Sequence, residues 1–416
     1  FVGIPLYMHI PDFYSSHTGL SLGIIGAILI GTRLFDALID PIIGILSDKY
    51  NKLRPSIIII SSIILGLSFL MLFNPIQNNS LLPAWFFTFT LVATVAFSVL
   101  TINYNTITSL WANNDGEATK ITTTRELFGI IGLITAVILP PILTAEYGVD
   151  RGYLVYSVIF VLILASCLLI FSKNQINIKN EATTDFSYKS IFRIFFDNRN
   201  LFLIYFTSYL ASSIPAVLVL FFIRERIGAE KYSGLFLMIY FISAAIFMPF
   251  WKKLADRTSI LKAWAIAMLL AVISFIWAYF LENGDIIAYA FICIFSGISF
   301  SAELSLPQAY VASTIKRQNK LDMASSYFSI MAFIMKICLA LAAGLTLPSL
   351  EFFGFKPNDA NSDSALQALS IFYALIPCLL KAIAFILILI HIKNHGEVYE
   401  KNSFNNLSNI GGKHVL

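Results

Sequence analysis

Apolar residues along this chain come in runs of about 20 or more, separated by short polar breaks, instead of at the one-face spacing of a soluble helix. The runs fall at 19–46, 55–76, 82–111, 122–145 and 152–172, and again at 201–223, 232–252, 260–281, 286–312, 323–349 and 366–392. About 20 residues, at roughly 1.5 Å each, cross the ~30 Å hydrocarbon core of a bilayer, so every run predicts a membrane-spanning helix. The apolar stretch from Phe1 to Tyr14 reaches only roughly 21 Å, and we expect it to be the truncated end of a first span. The pattern predicts an all-α membrane protein of twelve spans arranged six plus six. Its expected parts are an N-terminal six-helix half over 1–172, a linker over 173–200, a C-terminal half over 201–392 and a polar tail over 393–416.

Composition agrees with the runs. The chain is 58% hydrophobic and 12% charged, against roughly 25% charged in a soluble domain, so its outer surface is suited to lipid. The net charge of +4 is spread over short loops without a basic helix, which argues against a nucleic-acid partner. Of the 28 Lys and Arg, 19 lie in the loops on the side of the linker and tail, five in the opposite loops and four within spans. By the positive-inside rule, linker and tail face the cytoplasm of a multi-pass protein of the cell inner (plasma) membrane. The four cysteines, Cys167, Cys293, Cys338 and Cys378, show no CxxC or Cys/His spacing, so packing roles are expected and no metal site is predicted. Without a Ser/His/Asp arrangement or a phosphate-binding glycine loop, an enzyme is not expected, nor is a cofactor.

Charges within the spans narrow the function. An ionisable group at a helix centre costs ~2.5 to 3.5 kcal/mol and so calls for a partner or a task. The second span holds Arg33, Asp36 and Asp40 at spacings of three and four residues, which sets them on one helical face. Two carboxylates one turn apart repel unless a cation or proton sits between them. The pair is therefore a candidate cation-coupling site, with Arg33 as its charge partner in the same helix. Further candidates for substrate binding or coupling are Arg125, Glu303, Lys336 in the middle of the eleventh span, and Asn103. Lys381 reads as a packing or snorkelling residue.

The loop after the second span runs Gly44-Ile-Leu-Ser-Asp48-Lys49-Tyr-Asn-Lys52-Leu-Arg54, and the loop after the eighth runs Trp251-Lys-Lys-Leu-Ala-Asp256-Arg257. Both place an acid before basic residues and resemble the cytoplasmic gating motif of the major facilitator superfamily. Gly44, Asp48, Lys49, Asp256 and Arg257 are the gating candidates; the second copy has no glycine.

At Asp36-Ala-Leu-Ile-Asp40-Pro41-Ile-Ile-Gly44 the chain resembles the glycoside, pentoside and hexuronide to cation symporters, the melibiose permease-like family of that superfamily. The likeness extends to Gly19-Leu-Ser-Leu-Gly23, to Arg125 with Phe128-Gly129, to Lys336 and to the Gly354-Phe-Lys-Pro357-Asn358 turn. It implies Asp36 and Asp40 as cation ligands, Arg125 as a substrate contact and Lys336 between the two sites. Three departures stand beside it. The helix-1 acid falls before Phe1, Ile39 replaces a polar residue between the two acids, and Asn103 is the approximate neighbour of a missing helix-4 acid. Na⁺ needs several oxygen ligands and a proton needs one, so these losses favour H⁺ over Na⁺.

The expected function is cation-coupled symport of a small polar solute, a sugar or an organic anion or zwitterion, by alternating access, in a monomer whose partners are the solute and the lipid bilayer. A facilitator or antiporter of organic ions, or a non-transporting receptor or scaffold on the same fold, are the alternatives.

Overall fold

The computed structural model describes residues 10, 13–14, 18, 20, 22–76, 78, 80–173, 188–356 and 361–411. Most of the first span, the linker over 174–187, Gly19 and Ser21, Pro357 and Asn358, and the end of the tail lie outside the described residues. The rest is helical, and no strand occurs among the described residues. In chain order the helices are α1 Leu22–Lys49, α2 Arg54–Leu72, α3 Leu82–Trp111, α4 Asp115–Tyr147, α5 Val149–Lys173 and the short α6 Tyr188–Asp197. There follow α7 Arg199–Phe221, α8 Ser233–Arg257, α9 Ile260–Phe275, α10 Ile286–Arg317, α11 Ala324–Phe352, α12 Asp363–Ser370 and α13 Ile376–Gly411.

Among the described residues, ten helical segments are long and apolar enough to cross a membrane. To these is added α1, 28 residues long, which carries Arg33, Asp36 and Asp40. The apolar runs thus become helices at the expected places. Two details differ. The twelfth span is entered through α12 and a π-helical segment, Ile371–Leu375, and α13 continues beyond the apolar run to Gly411.

Local chemistry sets the helix ends. Asn114 caps α4 by accepting from Glu117 N at 2.9 Å, while the Glu117 carboxylate accepts from Asn113 N at 2.7 Å, a reciprocal arrangement that satisfies two orphan amides. Ser259 and Ser362 cap α9 and α12 by accepting from Lys262 N and Ala365 N. Gly148, at φ +77°, turns the chain between α4 and α5 in the region that favours glycine.

Two compact units are present, Phe1–Phe196 with Gln308–Ile337, and Asp197–Pro307 with Cys338–Leu416. The first has an aromatic core in which Phe69, Phe73, Phe86 and Tyr156 are all at most 1% exposed. The second packs Phe222 on Tyr373, ring centroids 4.0 Å apart, with the Tyr289 and Tyr373 hydroxyls 2.7 Å apart. Outward positions such as Leu38, Leu162 and Ile246 stay exposed, as a lipid-facing surface requires. All four cysteines are free; Cys167 is exposed and the other three are buried.

Candidate functional site

The densest polar cluster in the first unit forms around α1. Its carboxylates Asp36 and Asp40 are buried, Asp40 at 0% exposure, and they converge on one ammonium, that of Lys336 from α11. Lys336 Nζ lies 2.8 Å from Asp36 Oδ2 and 2.7 Å from Asp40 Oδ2. It donates to Asp40 Oδ1 and to Ser98 Oγ, each at 2.8 Å. Ser98, on α3, in turn donates to Asp36 Oδ1 at 2.7 Å. The cation against both acids is Lys336; Arg33 is exposed on α1. Two carboxylates and one ammonium leave a formal charge of −1 in a buried place, where an uncompensated charge is costly. The cluster can therefore accept one more positive charge.

A second cluster in this unit surrounds Arg125. The guanidinium reaches Glu126 Oε1 at 3.1 and 3.2 Å, Thr108 Oγ1 at 3.1 Å and Gln308 Oε1. Gln308 also donates to Glu126 Oε1 at 3.0 Å. The structure thus joins the predicted Arg125 to two residues that sequence reasoning did not select, Thr108 and Gln308.

Asn103, fully buried, donates to Ser47 Oγ and to Val99 O, both at 2.9 Å, and its amide oxygen has no partner among the described residues. It ties α3 to α1 next to the candidate gating residue Asp48.

The gating candidates divide sharply. Asp48 accepts from Ser325 N at 2.8 Å, Ser326 N at 2.7 Å and Ser326 Oγ at 2.6 Å, so its charge sits on the N-terminal turn of α11, where unpaired amides favour an anion. Arg54 completes the arrangement, 3.3 Å from Asp48 and 2.9 Å from Ser325 Oγ. Gly44 makes the approach of α1 to α11 feasible, since a Cβ there would collide with Ser329 Oγ and come within 2.6 Å of Ser329 Cβ. Lys49 is exposed, its ammonium 5.6 Å from the Tyr50 ring centroid. In the second copy Asp256 pairs with Lys252 one turn earlier on α8, partly exposed, and Arg257 is exposed.

In the second unit Glu303 meets Lys381, which is 5% exposed. Lys381 neither snorkels nor merely packs: its ammonium lies 3.2 Å from Glu303 Oε1, because burial at this depth demands a counter-charge. Ser208 donates to Glu303 Oε2 at 2.7 Å and Trp264 Nε1 donates to Oε1 at 3.1 Å. No group of His, Cys, Asp and Glu suited to a metal ion occurs among the described residues.

Bundled apolar helices with buried charge clusters define a multi-pass membrane transporter of the major facilitator fold. The family described as MFS/sugar transport protein matches residues 1–393. The chain belongs to that family; its solute is a small molecule and its setting a membrane. It is 25% identical over 422 residues to the uncharacterized symporter YnaJ of Bacillus subtilis, an alignment covering 95% of this chain and 89% of that one. It is 22% identical over 400 residues to the inner membrane symporter YicJ of Escherichia coli, covering 91% and 85%. Among solved structures, a bacterial homologue of the iron transporter ferroportin in an outward-facing state has a TM-score of 0.69 at 14% identity, covering 91% of this chain and 94% of that one. The Escherichia coli fucose:proton symporter FucP has 0.65 at 14%, covering 93% and 98%. These structural likenesses show the fold.

Proposed function

We propose that this transporter is a cation-coupled symporter in which Asp36 and Asp40 bind the coupling ion and Lys336 communicates its presence. The observation that carries this reading is the single ammonium shared by two buried carboxylates. An incoming positive charge satisfies the acids and frees Lys336 from holding both, so ion binding and the position of α11 become linked. The coupling ion is a proton in preference to Na⁺. Ile39 supplies no side-chain oxygen, and among the described residues Ser98 Oγ is the neutral side-chain oxygen bonded to Asp36, whereas a proton needs only one carboxylate oxygen. The symporter names of YnaJ and YicJ support the direction of coupling.

Arg125, with Thr108, Glu126 and Gln308, is the solute contact in this reading, and a fork of guanidinium donors suits a polar solute, a sugar or an organic anion or zwitterion. Transport proceeds by alternating access, with Asp48 and Arg54 holding the start of α11 in the state that closes the cytoplasmic side. Linker and tail are cytoplasmic, on the strength of the 19-to-five division of basic residues, in a plasma membrane. The test is uptake into proteoliposomes across imposed pH or Na⁺ gradients, over sugars, amino acids and organic anions. Asp40→Asn is expected to abolish accumulation while leaving membrane insertion intact. Undiminished accumulation by that variant, or flux indifferent to both gradients, defeats the reading.

A further inference from the structure

The second unit contains a cavity of about 260 Å³ with no assigned role. Its wall is largely apolar and includes the rings of Tyr240, Phe275 and Phe300, while Ser212, Ser296, Ser299, Glu303 and Lys381 are among its polar residues. A dry cavity of roughly 150 Å³ already accommodates benzene, and drug-sized ligands occupy pockets of about 300 Å³ and more. The space thus fits one substituted ring.

The hydrogen-bond inventory decides what the ring must carry. Lys381 has three N–H donors and already faces four acceptors: Glu303 Oε1 at 3.2 Å, and Ser208 O, Ser208 Oγ and Ser212 Oγ at 3.0 Å each. It has no donor to spare for an anion. Glu303 offers about four acceptor positions, of which Trp264, Ser208 and Lys381 occupy three. One acceptor position remains. Since the ion pair is already neutral, a charged ligand would bring an uncompensated charge into an apolar chamber. A ligand with one O–H or N–H donor meets no such cost.

We propose that this cavity is a binding site for an uncharged aromatic molecule that donates one hydrogen bond to Glu303, its ring held among Tyr240, Phe275 and Phe300. The site shares no residue with the Asp36–Asp40–Lys336 cluster, so it stands or falls independently of the coupling reading.

The test is calorimetric titration of the purified full chain in phosphatidylcholine nanodiscs with p-cresol, its methyl ether 4-methylanisole, and benzoate. We expect saturable binding of p-cresol, about tenfold weaker binding of 4-methylanisole, which has lost the donor, and none of benzoate. Ala271→Phe, which fills the cavity from α9, should abolish p-cresol binding with the helical circular dichroism unchanged. Glu303→Gln should reduce the discrimination between p-cresol and its ether to about twofold. Equal binding of the two compounds, binding that survives Ala271→Phe, or a cavity occupied only by lipid acyl chain overturns the proposal.

Discussion

The two units each bury an acid–base cluster between helices, yet the clusters are built on opposite principles. Around α1, two carboxylates share one ammonium, and that ammonium retains 20% side-chain exposure. Around Glu303, one carboxylate meets one ammonium of 7% side-chain exposure, and two serines and a tryptophan take up further bonding positions. The first arrangement is one formal positive charge short, which is what the proposed coupling rests on. The second is neutral, and its lysine donors are spent. A buried charge pair is therefore not by itself an argument for coupling; the two clusters differ in stoichiometry.

The largest effect that distinguishes them is expected from Lys381→Met. Removing the ammonium leaves Glu303 charged, buried and without a counter-ion, a loss of about 3–5 kcal/mol. It should appear as a large drop in the thermal unfolding temperature of the purified protein. The double variant Glu303→Gln with Lys381→Met should recover most of that loss, because it removes both charges together.

Lys336→Met should cost less than half as much stability, since its site is more open and the acids can take up a proton or cation instead. Its effect should fall on transport, with gradient-driven accumulation lost while unfolding shifts modestly. Equal destabilisation by Lys336→Met and Lys381→Met would erase the proposed difference between the clusters.

The two candidate gating segments sharpen the same contrast at smaller energies. Asp48→Asn removes the charge that holds the first amides of α11, at a cost of about 1–3 kcal/mol. Hydrogen exchange should report it as faster exchange at Ser325 and Ser326, without a comparable change around the Asp36–Asp40 pair.

Much of this organisation was legible in the sequence, and the limits have physical causes. Uninterrupted apolar runs locate the spans because only a helix satisfies its backbone within lipid. Asp36 and Asp40 stand out because charge is rare there. Their partners do not. Ser98 lies 62 residues from Asp36, and serines within apolar helices often bond their own backbone, as Ser61, Ser62 and Ser68 do here, so nothing local marks the one that crosses to an acid. Nothing local marks Gln308 or Trp264 either, since each meets an acid distant in sequence, and the counter-charge of Lys381 lies 78 positions earlier, in another helix.

The difference between the two copies of the candidate gating motif is partly visible in the sequence, and it supports the smallest prediction. Four residues before the acid, the first copy has Gly44, where the lack of a side chain allows α11 to come close enough for Asp48 to reach its amides. The second copy has Lys252 there, and its ammonium takes Asp256 for itself in an ordinary i,i+4 pair. Such a pair at partial exposure contributes about 0.3–0.5 kcal/mol. Asp256→Asn should therefore shift unfolding by no more than about 0.5 kcal/mol, and the shift should shrink as salt screens the pair. A loss as large as that of Asp48→Asn would mean that Asp256 holds a helix start of its own, and that the asymmetry between the two copies does not extend to their energetics.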